Sequence, residues 1–600
     1  MLFLLVMPFL GLAQNEKVLF SVPGGFHEGS FFLELSNYFP QNHIRFTTNG
    51  CQPTATSRLY EGPMMLDGHL FSTSDYYTIQ VAPENRMYYP DSVERCIVIR
   101  AAVFDSHENR VSDVFTNSYF IRLLGCDTHG LPVLSLCADS LDLYDFNRGI
   151  LVPGVYFNPN NPDWSGNYFC HGIEWERLCN VEFYELDNTG INQQAGVRTR
   201  GGSSRYLQQK GLKIYAREQY GKKRFKHRFF PETSIESFKH LTLKPFSSTN
   251  GTFTGVQDVL AQRVARELDI DALACRQMAV FLNGEYYGIY SLEEVPDEHY
   301  LEDHYDVDMD SVNIIEKWFN LDYGDTTHWY ELYQWLQEAD LSLDTNFALI
   351  NEKIDMNNFI DYLLFELYSF NFDWPTNNVR CWQEGNGKWR WIFYDGDACF
   401  HYLFDVVANA TDTCNDVHPT QAHSTLLFRK LLENTDFVNR LTSRYYELNS
   451  SPLHPMVDSL FGVFRGNIEG EVPKQVERFN IPYSVERWET DILRVENFLQ
   501  LFDNQLFNMI QGLLDPDNVA DQWMELKVFP NPFNDQLTIC CDATESKTTT
   551  LQVFNLLGQN VHTQTVTLKA GPNRMRWNAT LAPGVYILKM DHFITKIVRQ

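Results

Sequence analysis

Hydrophobic periodicity changes twice along this chain, and those changes restrict its architecture more than any one motif does. From about Val18 to Leu124, short runs such as HIRFTTNG, YYTIQVAP and CIVIRAAVF alternate and are broken by Gly, Pro, Asn and Asp clusters. That is the pattern of a small β-sandwich. From Pro132 to about Leu514 the reading is mixed. Strand-like runs come first (VLSLCAD, CNVEFYEL, GLKIYAR, FKHLTLK, AVFLNGEYYGIYSLEE), one helical segment interrupts them at Val256 to Leu268, and helical patterns dominate from Trp329. Alternation returns from Leu526 to Gln600 in KVFPNPFNDQLTI, LQVFNLLGQNV and LAPGVYILKM, which predicts a second β-sandwich. At 600 residues the chain exceeds what a single core can organise. The expectation is a multi-domain α+β protein with modules at 14–124, 125–515 and 526–600. The central module should have two lobes, one rich in sheet and one in helix, with a cleft between them.

The first thirteen residues, MLFLLVMPFLGLA, form an apolar run too short to span a bilayer and suited to a signal peptide cleaved near Ala13, although it lacks a basic n-region. No other segment reaches transmembrane length. The net charge of −29 disfavours nonspecific binding to nucleic acid or anionic membrane and favours a basic protein partner. The twelve cysteines include no CxxC and no Cys/His cluster with zinc spacing, so disulfides or buried thiols are better readings than a metal site.

Three constellations carry chemistry. In RTRGGSSR, Gly201 and Gly202 let a backbone approach an anion, while Ser203, Ser204 and Arg205, with Lys210 and Lys213 beyond, supply donors and charge suited to polyphosphate. A Gly-Gly turn in a surface hairpin with solvated basic residues is the commoner reading of the same letters. In FDWPTNN, Asp373 stands five residues before Asn378, after a segment with apolar residues at 359, 360, 363, 364, 367 and 368. That spacing predicts an amphipathic helix capped by Asp355, with Pro375 preventing its extension. An Asp that accepts a proton and an Asn that binds metal are so arranged in kinase catalytic loops; Asx residues satisfying a turn are the bland alternative. In WRWIFYDGD, Asp395 and Asp397 leave the end of a strand two residues apart, a pair able to hold a divalent cation, and Asp395 lies 22 residues after Asp373.

RGGSSR with Lys210, then NGEYYGIYSLEE, FDWPTNN and WRWIFYDGD occur in the order found in the spore-coat CotH kinase family, which the chain resembles from Pro132 to about Phe404. The resemblance implies a protein-kinase-like central domain that transfers phosphate from ATP to protein Ser hydroxyls with Mg²⁺ or Mn²⁺. It implies that Gly201, Gly202, Ser203, Ser204 and Arg205 form the phosphate loop. By the same resemblance Lys210 would anchor ATP, with Gln209 in place of the family's first lysine and Lys213 as understudy. It implies further that Glu294 closes the NGEYYGIY strand pair beside the nucleotide, that Asp373 is catalytic, and that Asn378, Asp395 and Asp397 bind metal. The C-terminal segment resembles the sorting domain of type IX secretion substrates through Pro530 to Pro532, Leu557-Gly558 and Pro583 to Tyr586, which implies that secretion machinery as a partner and a secreted or cell-surface location. FSVPGGF and IRFTTNGCQPTATSRLYEGPMML resemble the β-sandwich at the C-terminus of chitobiases and β-hexosaminidases. The phosphoacceptor would be a basic, Ser-rich protein. A non-catalytic surface adhesin on a kinase-like scaffold is the alternative from another class; carbohydrate processing has no paired carboxylates at glycosidase spacing to support it.

Overall fold

The computed structural model describes residues 16–67, 75–122, 130–246, 253–412, 422–450, 453–514 and, with short breaks, 527–599. The expected signal peptide, Pro530 to Pro532 and Leu557-Gly558 lie outside the described residues. The chain forms two units, Met1–Thr249 with Arg276–Glu293 and Asn467–Ser484, and Asn250–Cys275 with Glu294–Gly466 and Val485–Gln600.

In the first unit, the runs HIRFTTNG and CIVIRAAVF supply strands of a five-stranded sheet in the order Gly25–Glu28, Phe115–Arg122, Ile97–Phe104, His43–Thr47, Arg58–Leu59, whereas YYTIQVAP, expected as a strand, starts with a 3-10 turn at Tyr76–Thr78. One face buries Ile44, Phe46, Ile97, Ile99, Ala101 and Val103. The opposite face buries Phe26, Val98 and Phe120 against Val133, Cys137, Ala279 and Phe281. Apolar cover on both sides explains why Ile97–Phe104, apolar except for Arg100, is buried at every position.

The chain that follows forms β1 (Val133–Ala138), β2 (Arg177–Tyr184), β3 (Gly190–Arg200), β4 (Gly211–Tyr215), β5 (His240–Pro245), β6 (Cys275–Leu282) and β7 (Glu285–Glu293), of which all but β3 overlap the strand-like runs expected from the sequence. They close into a barrel in the order β1-β2-β3-β4-β5-β7-β6, sealed by parallel pairing of β6 with β1. Asn283 and Gly284 join β6 to β7 with φ of 50° and 87°, the positive pair that matches strand twist in a two-residue hairpin. Gly288 has φ of 99°, and a Cβ there would strike the side chains of Gln475 and Gln209. Gln475, from the helix Val472–Phe479, accepts from Ile289 N at 3.0 Å and donates to Gln209 at 3.0 Å, so that helix docks directly on the β7 backbone.

Glu182 of β2 is fully buried and accepts from Ser118 N (3.0 Å), Ser118 Oγ (2.6 Å) and Tyr184 OH (2.6 Å). Burial nonetheless dominates and raises its carboxyl from 4.5 to about 7. The folded protein therefore keeps a proton that the unfolded chain releases. The associated stability is complete below pH 4.5 and is lost as pH rises toward about 7, a difference of about 3 kcal/mol. Unfolding midpoints measured between pH 4.5 and 8 should fall with rising pH, and Glu182→Gln should flatten that slope.

The second unit holds a four-stranded antiparallel sheet of β8 (Val312–Glu316), β9 (Asn320–Tyr323), β10 (Arg380–Glu384) and β11 (Arg390–Ile392), ordered β9-β8-β10-β11. Its helices include α1 (Gln257–Glu267), α2 (Thr327–Glu338) and α3 (Met356–Tyr368). In α2, Trp329, Leu332, Tyr333 and Leu336 are buried, with Trp329 edge-on to Trp389 at 4.8 Å. Trp329 and Tyr333 of that helix are core, Trp335 is half-buried and Tyr330 is exposed. Helix α3 differs from the amphipathic expectation: all its residues except Asn357 and Asp361 are buried, and these two are met by Arg440 and Arg444 of the helix Thr435–Ser450.

The C-terminal segment forms two antiparallel sheets, of Lys527–Phe529, Gln536–Ala543 and Gly571–Asn578 and of Asn560–Leu568, Lys547–Asn555, Gly584–Met590 and Phe593–Arg599. Leu537, Ile539, Leu551, Val553, Trp577, Leu588 and Ile597 share one core. Cys96, Cys137, Cys179, Cys275, Cys381 and Cys399 are buried free thiols. No described helix is long and apolar enough to cross a membrane.

Candidate functional site

Helix α3 and strand β11 advance side by side, and the residues after them deliver the carboxylates. Asp355 caps α3 by accepting from Asn358 N at 3.2 Å, as its sequence position predicts. Asn358 then behaves as an extra strand, accepting from Trp391 N at 2.6 Å and donating to Trp391 O at 3.2 Å. Arg390 pairs with Asp271 at 2.9 Å and with Asp355 at 2.5 Å, fastening the start of β11 to the start of α3. Further along, Phe365 meets Phe393 at 4.8 Å, and Phe400 N donates to Ser369 O at 2.8 Å. The two chain segments therefore emerge together, one carrying Asp373 and the other Asp395.

Asp373 sits in a loop held from within and from outside. Its Oδ2 accepts from the side-chain amides of Asn377 and Asn378, each at 3.3 Å. Asn378 Nδ2 also donates to Asp395 O at 3.3 Å, so one buried amide joins the two motifs. Trp318 Nε1 ties Pro375 O at 2.7 Å, and Asn409 Nδ2 ties Trp374 O at 2.7 Å. Asn378 and Asp395 have φ of 55° and 61°, the left-handed region that Asn and Asp tolerate best among residues with a Cβ. Such conformations cost about 1 kcal/mol each and concentrate at functional sites.

Gly396 follows Asp395 because nothing larger fits. Its N–H donates to Asp258 Oδ1 of α1 at 2.7 Å, and a Cβ would lie 2.7 Å from Ala261 Cβ and 3.0 Å from Phe393 Cζ. Gly396→Ala should destabilise the protein by about 2 kcal/mol, read in urea unfolding, because two packed elements must part to admit the methyl group. Asp397 lies in the turn Gly396–Ala398. The charge of Asp373 adds to burial in raising the Tyr402 hydroxyl, whose ring stacks on Phe372 at 5.3 Å.

Asp373, Asn378, Asp395 and Asp397 offer oxygen donors only, the set preferred by Mg²⁺ or Mn²⁺. Among the described residues no group of three His, Cys, Asp or Glu could hold a metal unaided. Mg²⁺ keeps several waters in its shell and needs only one or two carboxylates from a protein.

The remaining predicted residues belong to other segments of the sequence. In the first unit, Gly201 has φ of 113°, and Arg205 donates to Gly201 O at 2.6 Å and to Phe169 O at 3.1 Å. Its guanidinium thus braces the turn that contains Gly202, Ser203 and Ser204. Lys210 is fully buried; its Nζ donates to Arg205 O at 2.7 Å and lies 3.7 Å from the Tyr168 ring centroid, and burial pushes the ammonium well below the usual lysine range. Gln209 is committed to Tyr287 O and Ile289 O at 3.3 and 3.1 Å. Lys213 is partly exposed and lies opposite Arg198 across β4 and β3. In the second unit, both oxygens of Glu294 are engaged, one by Ala274 N and one by His304 Nε2, each at 2.8 Å. The sequence reading missed Asp258, Asn358, Asn371 and Arg390, which position the site. It also passed over Glu366, whose signal was available: a lone acid among apolar neighbours in LLFELY.

The family model for CotH kinase protein matches residues 197–505. That for a secretion system C-terminal sorting domain matches 527–600, and one described as Fn3 associated matches 33–119, which leaves the chitobiase resemblance only loosely supported. Among solved structures, dimeric latent PorU from Porphyromonas gingivalis is similar at 13% identity over 13% of this chain, with a TM-score of 0.11. The chain spans 9% of the length of that protein. No curated protein matches the sequence.

Proposed function

The chain belongs to the CotH kinase protein family, and from that membership we propose that it is an exported kinase transferring the γ-phosphoryl group of ATP to protein Ser hydroxyls. The observation that carries this reading is the single amide, Asn378, that holds both the Asp373 carboxylate and the Asp395 backbone. The sorting domain at 527–600 supports export through type IX secretion machinery to the exterior or the cell surface.

In this reading Asp373 orients the Ser hydroxyl and takes its proton as the Ser oxygen bonds to the γ-phosphorus. The bond from that phosphorus to the β,γ-bridging oxygen breaks, and ADP leaves. Asp395 and Asn378, with Asp397 beside them, would hold Mg²⁺ or Mn²⁺. When bound, the ion neutralises charge on the phosphate oxygens. The Gly201 to Arg205 turn, with Lys210 or Lys213, is assigned to the nucleotide phosphates, and Glu294 to the support of that region. A kinase-like domain of two lobes, flanked by β-sandwich modules at 14–124 and 526–600, is the architecture that accompanies this function.

One observation favours the rival, a surface-binding protein on the same scaffold: Lys210 is buried beneath Tyr168 and donates to a main-chain carbonyl. The deciding experiment incubates the full chain with labelled ATP, Mg²⁺ or Mn²⁺, and basic Ser-rich peptides. Label on Ser supports the kinase. Neither transfer nor nucleotide binding supports the adhesin.

A further inference from the structure

Glu366 is fully buried near the end of α3, at a position the packing otherwise fills with Leu, Phe and Tyr. Its Oε2 accepts from Asn371 Nδ2 at 2.8 Å, and its main-chain oxygen accepts from Asn371 N at 3.3 Å. Asn371, itself fully buried, passes the contact on, since its Oδ1 accepts from Asp373 N at 3.2 Å. Glu366 Oε1 and the Tyr362 hydroxyl are both buried without a hydrogen-bond partner among the described residues. Burial raises the Glu366 carboxyl to about 8, against the hydrogen bond from Asn371. Tyr362 of the same helix and Cys399 beyond Gly396 are the titratable groups that face it, and burial holds both in their neutral forms.

An acid placed in an apolar helix core without a basic partner costs free energy, so its presence needs a reason other than stability. We propose that Glu366 is a positioning residue: through Asn371 it fixes the main-chain N–H of Asp373 and thereby the direction in which the Asp373 carboxylate is presented. The neutral carboxyl accepts from Asn371 with one oxygen and can donate with the other, which a Gln side chain reproduces and a Leu side chain does not. The kinetic part of the inference rests on the phosphotransfer reading; the structural part does not.

Two variants of the full chain test it by hydrogen–deuterium exchange and by transfer of label from ATP to a basic Ser-rich peptide. Glu366→Gln should match the parent in both. Glu366→Leu should speed exchange in residues 370–378 and lower kcat by about tenfold with KM for ATP unchanged, the signature of a misdirected reacting group. If Glu366→Leu does not fold, Asn371→Ala, which removes the other end of the same bond, should give the same exchange and kinetic pattern. Unchanged exchange in 370–378 for the folded variant, or Glu366→Gln behaving as Glu366→Leu, overturns the proposal. If the parent transfers no phosphate, the kinase reading falls, and the exchange comparison still decides whether Glu366 orders the loop.

Discussion

Asp373→Asn and Asp395→Asn should each lower phosphate transfer to Ser by about a thousandfold while leaving the fold intact. The two substitutions fail for different reasons. Asn at 373 keeps the shape and can still meet Asn377 and Asn378, but it cannot take a proton from the attacking hydroxyl. Asn at 395 preserves the left-handed backbone, since Asn tolerates a φ of 61° as well as Asp does. It removes the negative charge assigned to the metal. Replacing Mg²⁺ with Mn²⁺ should restore part of the activity of neither Asp373→Asn nor a doubly substituted chain. Folding is checked by circular dichroism, and activity by labelled transfer.

The second large effect concerns the frame. Arg390 joins Asp271, whose side chain is 5% exposed, to Asp355 at the N-terminus of α3. Arg390→Leu leaves Asp271 buried and unpaired, and stability should fall by about 3 kcal/mol in urea unfolding. Adding Asp271→Leu should recover much of that loss, because the penalty lies in the orphaned charge more than in the missing bond. The single variant should also lower phosphate transfer, since α3 and β11 together set the places of Asp373 and Asp395.

Local signals in the sequence were read correctly where the cause was local. Asp355 as a helix cap follows from neighbours within a few residues. Barrel closure was not legible, because parallel pairing of β6 with β1 joins Val133 to Ala279 and no short-range pattern encodes it. Helix α3 reads as amphipathic from its apolar spacing, yet Glu366 and Asp361 look alike as letters while one is buried and the other faces Arg444. The carboxylate motifs announced themselves by composition. What holds them did not: Asp258 reaches Gly396 across 138 residues of sequence, and Asn358 reaches Trp391 across 33. Lys210 could be named as a cation beside the Gly-Ser turn, but its burial depends on Tyr168 from a distant segment.

The central claim is that Asp373, Asn378 and Asp395 form one metal-dependent phosphoryl-transfer site. Calorimetric titration of the full chain with ATP, with and without Mg²⁺, tests it most directly when Asp395→Asn is run alongside. The account predicts Mg²⁺-dependent nucleotide binding by the parent chain and loss of that dependence in Asp395→Asn. Absence of ATP binding by the parent, or equal Mg²⁺ dependence in both proteins, would contradict it.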